Sequence, residues 1–181
     1  MALSVKRAER RVSVCLDGSL VAQYEAVTEQ LETKLKEKLI DNRLNDPVAA
    51  LQREQHRLFE AQREQTVTFV VRGLPRSKWD EFVEAHPPRE GVELDKEYGF
   101  NTETIFDAIL SHDAPASIAE VLDADGALQE FKPADWTEFS KDLTRSQFER
   151  FRAAVTNVNA GESAVPFSLT AFKATQDSAG K

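Results

Sequence analysis

The chain has 181 residues, 41% of them hydrophobic and 30% charged, with one cysteine and a formal net charge of −8. That length can bury a core without metal or disulfide help, and the lone Cys15 excludes an internal disulfide and argues against a secreted scaffold. Residues 1–73 hold 12 Lys/Arg against 11 Asp/Glu while residues 74–181 hold 11 against 20; so acidic a second half disfavours a nucleic acid backbone and suits a basic protein partner.

From the first residue, MALSVKRAERRVSV carries basic side chains with no apolar run behind them, so no signal peptide is expected. Nothing approaches the ~18 apolar residues of a membrane span, and a soluble protein is expected. Val12, Val14 and Leu16 alternate with Ser13, Cys15 and Asp17, the period of a strand with one buried face. Asp17 or Ser19 then caps a helix over about Leu20–Asn42, whose Leu20, Tyr24, Val27, Leu31, Leu35 and Leu39 form one stripe. Asp46-Pro47 restarts a second helix to about Gln65, with Val48, Leu51, Gln55, Leu58, Phe59 and Gln62 on its inner face. Two such helices form a hairpin, and the β-branched run TVTFVVR at 66–72 returns as a strand, antiparallel to residues 11–17. A lone ribbon of two strands is marginal in water, so the second half or another copy must cover it.

Gly73-Leu74-Pro75 is a hinge. Ser77 with Asp80 has the form of a capping pair for a short helix with Trp79, Phe82 and Val83, stopped by Pro87-Pro88. Residues 89–99 read as a charged exposed loop, and Asn101 or Thr102 opens a helix that buries Ile105, Phe106, Ile109 and Leu110. A short helix is expected over Pro115–Leu122, a turn at Asp123–Gly126, and a helix after Lys132-Pro133 with Trp136, Phe139 and Leu143 inward. Thr144 with Gln147 matches a reciprocal capping box for a last helix to about Asn159. The expected architecture is therefore mainly α with a small two-stranded β element, an α+β fold. It comprises a strand–hairpin–strand unit at 1–73, a helical domain at 74–159 and a flexible tail at 160–181, where Phe167, Leu169 and Phe172 are candidate docking points.

Motifs for chemistry are missing. His56, His86 and His112 stand far apart with no ligand neighbour at zinc spacing. A calcium loop aligned on Gly126 would place Val121 and Lys132 at its first and last ligand positions, so an ordinary turn is expected. The glycines form neither GxGxxG nor a P-loop, and nothing pairs Cys15 with a histidine. No catalytic residue, cofactor site or metal site is expected, and the protein is not read as an enzyme.

The segments RRVSVCLDGSLVAQYE (10–25), VRGLPRSKWDEFVEAHPPR (71–89), DKEYGFNTETIFDAIL (95–110) and WTEFSKDLTRSQFERFRAAVTNVN (136–159) span nearly the whole chain. In this order it resembles the tail assembly chaperones of long-tailed bacteriophages infecting actinobacteria. The resemblance implies a non-enzymatic protein of the host cytoplasm, absent from the mature virion. It would hold the helical tape measure protein soluble and help tail tube subunits polymerise around it. It also implies a short form whose frameshifted longer form is a further partner, to which a Gly180-Lys181 ending is compatible, and leaves a homo-oligomer open. The aromatics of the second half read first as its core; a client-facing surface there would draw on Trp79, Phe82, Phe148, Phe151 and Val155. A virion structural protein, such as a head–tail connector or tail component, and a small regulatory adaptor are the alternatives.

Overall fold

Alternating side chains build the sheet. The computed structural model of the protein describes residues 4–40 and 47–161. Strand β1 (Glu9–Cys15) pairs antiparallel with β2 (Thr66–Arg72), Val12 opposite Phe69 and Val14 opposite Val67. Between them run α1 (Gly18–Ile40) and α2 (Pro47–Glu64). Asp17 caps α1, accepting from Ser19 N at 2.9 Å, which satisfies one of the free donors of the first turn. Gln55 Nε2 donates to Thr28 Oγ1 and Gln62 Nε2 to the carbonyl of Leu20, so the two helices are antiparallel. The turn expected at Asn45-Asp46 lies outside the described residues, as does the tail from residue 162.

The remaining elements are α3 (Arg76–Ala85), α4 (Glu93–Tyr98), α5 (Ile105–Leu110), β3 (Ile118–Leu122), α6 (Trp136–Phe139) and α7 (Arg145–Asn159). Single 3-10 turns, Pro133–Asp135 and Ser140–Asp142, flank α6. The fold is α+β, mostly helical, with a small antiparallel sheet. Its sheet has three strands in the order β1-β2-β3 rather than two, because the segment expected as a helix at Pro115–Leu122 is β3. Ile118 and Val121 turn toward the core while Arg72 N donates to the carbonyl of Ser117 at 2.7 Å. A free strand edge beside a β-branched segment outweighs a local helical pattern. The Ser77 cap is also not formed: α3 begins at Arg76 behind Pro75, without a side-chain cap. Proline's fixed φ suits the start of a helix and places Ser77 inside the first turn.

One hydrophobic cluster joins Val12, Val14, Phe69 and Val71 of the sheet to Leu74, Phe100, Ile105, Phe106, Ile109, Leu110, Trp136, Phe151 and Val155. The core therefore runs across the division expected near Gly73. Phe69 lies at its centre, with ring centroids 5.2 Å from Phe131, 4.9 Å from Phe139 and 5.2 Å from Phe151. Burying one such ring contributes about 1.5–3 kcal/mol, and each well-placed ring pair adds about 0.5–1.5 kcal/mol. α7 starts as the sequence predicts: Thr144 N donates to Gln147 Oε1 at 2.8 Å and Gln147 N to Thr144 Oγ1 at 3.3 Å.

The far end of α7 is pinned to the hinge. Asn159 Oδ1 accepts from Leu74 N at 2.7 Å, while its Nδ2 donates to the Val155 carbonyl at 2.8 Å. Gly73 is needed here for space, since a Cβ would sit 2.7 Å from the carbonyl oxygen of Val158. Gly73→Ala is expected to destabilise by about 1–3 kcal/mol, the range for overpacking, measured by urea denaturation. Gly18→Ala, where a Cβ meets nothing within 4 Å, should stay within about 0.5 kcal/mol of wild type. Equal midpoints for the two variants would remove the close contact at Gly73 as a constraint.

Candidate functional site

Helical period decides what α7 can show a partner. Phe151 and Val155 are four residues apart on its inner face and both are 0% exposed. Phe151 packs against Phe69 and lies 4.8 Å from Trp136. These two expected client-facing residues are thus core side chains, a correction that follows from α7 lying directly over the sheet. Phe148 is half-buried, 6.4 Å from Trp136. Trp79 and Phe82, half-buried on α3, meet Phe100 at 5.7 Å and the His112 ring at 5.2 Å. The five residues therefore belong to one packed interior and do not assemble into one outward surface.

Apolar surface is presented elsewhere. On the helical hairpin Leu31, Val48 and Leu58 are buried and lie outside the main core cluster, while Leu35 is 42% and Phe59 50% exposed. Phe59 does not share the inner face as expected, because neighbouring helical residues are about 100° apart and Leu58 takes the inward seat. On α4, Leu94 and Tyr98 are each 45% exposed and share a face at the i, i+4 spacing. Tyr98 also borders a cleft of about 260 Å3 lined by Phe106, Glu149, Arg152, Thr156 and Asn157. Within it the Arg152 guanidinium lies 4.9 Å over the Phe106 ring, and its Nη1 donates to Glu149 Oε1 at 2.7 Å.

α4 turns one acid, Asp95, inward and leaves Leu94 and Tyr98 outside with its other charged residues. Asp95 is completely buried within what reads as an exposed loop. Its Oδ2 accepts from Arg89 Nε at 2.7 Å and Arg89 N at 3.1 Å. Its Oδ1 accepts from Thr102 Oγ1 at 2.6 Å, Thr102 N at 3.0 Å and Arg89 Nη2 at 3.1 Å. Arg89 also pairs with Glu103. The bidentate guanidinium and the two Thr102 donors hold the Asp95 carboxyl well below the usual carboxylate range, against the opposing pull of burial. Gly91 (φ 77°) and Gly99 (φ 79°) turn the chain on either side of α4 in the left-handed region, which glycine adopts without strain.

No family model, curated protein or solved structure matches this chain. Among the described residues no three His, Cys, Asp or Glu side chains converge to hold a metal ion, and no helix is long and apolar enough to cross a membrane. His86 bonds Thr104 Oγ1 through Nδ1 at 2.8 Å, and His112 bonds the Ala114 carbonyl through Nε2 at 3.0 Å. The Asp123 carboxylate is occupied by its own turn, taking the N–H groups of Asp125 and Ala127 and the side chain of Gln129.

Leu94 and Tyr98 escape sequence reasoning because a six-residue helix is too short to reveal a period. The one available signal was the pair of glycines bracketing ELDKEY.

A carboxylate whose folded pKa is depressed stabilises the fold fully above its unfolded pKa of about 3.9, and that stabilisation is lost as pH falls below it. Asp95→Asn should therefore lower the urea midpoint at pH 7 more than Glu54→Gln, which breaks an exposed pair with Arg57. The difference between wild type and Asp95→Asn should shrink at pH 3. A gap equal at both pH values would mean that the charge of Asp95 is not what holds α4.

Proposed function

We propose that this protein is a tail assembly chaperone of a long-tailed bacteriophage, acting by binding alone. It binds the tape measure protein in the host cytoplasm, keeps it soluble while tail tube subunits polymerise around it, and is left out of the finished virion. The sequence resemblance along nearly the whole chain motivates the proposal.

The observation that supports it best is the hairpin of α1 and α2, which packs on itself and leaves Leu35 and Phe59 uncovered. Exposed apolar side chains at separate points along a helical pair suit a helical client, whose own apolar face carries residues at i, i+3 and i+4 positions. Binding the unassembled client lowers its free concentration and so competes with aggregation without an energy source.

Co-expression with the tape measure protein tests this directly. Wild type should raise the soluble fraction of that client several-fold, and Leu35→Ala with Phe59→Ala should remove most of the gain. Because both side chains are substantially exposed, the double variant should keep the wild-type melting temperature within a few degrees. No gain of soluble client with wild type would sink the proposal. Recovery of the protein at many copies in purified particles would instead support a structural component of the virion.

A further inference from the structure

The two edges of the sheet are guarded unequally. Beyond β3 the chain turns at Asp123–Gly126 and comes back along that edge, so that Gln129 N donates to the Val121 carbonyl at 2.8 Å and Asp123 N to the Ala127 carbonyl at 2.9 Å. Leu122 and Leu128 form a bridge there, and an irregularity at Val70/Val71 interrupts the β2–β3 register. Bulges and covering segments are the usual means of stopping one sheet edge from pairing with another. Among the described residues β1 has neither a bulge nor a segment paired along its outer edge: its seven residues pair with β2 in unbroken register, and none is proline.

Antiparallel strands alternate in the direction of their backbone donors and acceptors. Gly73 N donates to the Ala8 carbonyl and Leu16 N to the Gln65 carbonyl, so the even-numbered residues of β1 direct their backbone to β2. Glu9, Arg11, Ser13 and Cys15 direct theirs outward. Among the described residues no other strand pairs with that edge.

We propose that β1 is a homodimer edge, along which two copies pair antiparallel about Val12 to join their sheets into one. This centre is the midpoint of the strand, so all seven residues take part. It also sets outward-facing backbone opposite outward-facing backbone throughout. Glu9 comes opposite Cys15, Arg10 opposite Val14, Arg11 opposite Ser13, and Val12 opposite its own copy. No like charges face each other, whereas a centre at Arg10 would put that arginine against itself, an arrangement that destabilises a strand pair.

A second feature fits the same pairing. Arg10 belongs to the face of β1 that carries Val12 and Val14, yet it is exposed. In the dimer its copy from the other chain lies beside Val14, at the mouth of a cleft of about 170 Å3 that Val14, Phe139, Asp142, Leu143 and Gln147 help to line. Asp142 is exposed there and has no ion-pair partner among the described residues. It supplies the opposite charge that an incoming arginine needs.

Sedimentation velocity of the full chain over a range of concentrations provides the first measurement, with a concentration-dependent dimer expected. Ser13→Pro removes an outward N–H and leaves the β1–β2 ladder bonds intact; it should give a monomer that still melts cooperatively. Asp142→Arg should weaken the dimer at least ten-fold without altering the far-ultraviolet spectrum. Register is read by Glu9→Cys, which under mild oxidation should form a covalent dimer through Cys15 of the second chain, and which should lose that cross-link when Cys15→Ser is added. A monomer at every concentration overturns the proposal. So does a dimer that Ser13→Pro and Asp142→Arg leave unchanged, or a cross-link indifferent to Cys15.

Discussion

The ring of Phe69 obliges distant parts of the chain to meet. It stands on the middle strand, 1% exposed, with Phe131, Phe139 and Phe151 around it. A ribbon of β1 and β2 alone would leave this ring and Val71 in water, and such ribbons have little stability of their own. α6 and α7 close over the ribbon and bring Trp136 with them. The indole N–H of Trp136 reaches Asp107 Oδ1 at 2.8 Å, so burying the largest side chain of the core leaves no donor unmade. That bond in turn ties α5 to α6, and Phe106 and Ile109 follow into the interior.

Asp95 organises the other side of the molecule by the opposite physics. A carboxylate withdrawn from water is tolerated only when its oxygens are fully engaged, and Arg89 and Thr102 engage them from both flanks of α4. Because Asp95 is the side chain of this helix that is held inside, Leu94 and Tyr98 are left at the surface beside Glu93, Lys96 and Glu97. The hairpin reaches a comparable result by a different route: two helices can cover only one face of each other, so Leu35 and Phe59 stay uncovered. Both apolar exposures thus follow from how each element is anchored.

Much of the architecture was legible along the chain. The Leu20–Leu31 part of the α1 stripe, the inward set Ile105, Phe106, Ile109 and Leu110, and the Thr144–Gln147 capping box all depend on neighbours within a few turns, and local sequence encodes them. Less was legible where partners are distant. Residues 115–122 carry a pattern compatible with a helix, and only the waiting edge of β2 makes them a strand. Asp95 looks like one acid in a charged loop until Thr102 and Arg89 fold around it. For the candidate surface the same limit applied: the density of apolar side chains singled out Trp79, Phe82, Phe148, Phe151 and Val155, but such density is what a core also requires.

By itself, then, the amino-acid sequence determined the α+β class, the strand–hairpin–strand order, the start of α1 and the ends of α2 and α7. Period, capping residues and proline positions act over a few residues and need no tertiary partner. Only the tertiary structure decided that the sheet has a third strand, that one core crosses the hinge at Gly73, and which apolar side chains remain outside. Those outcomes depend on which face each helix turns to the sheet, a choice made by packing between residues as far apart as Phe69 and Phe151.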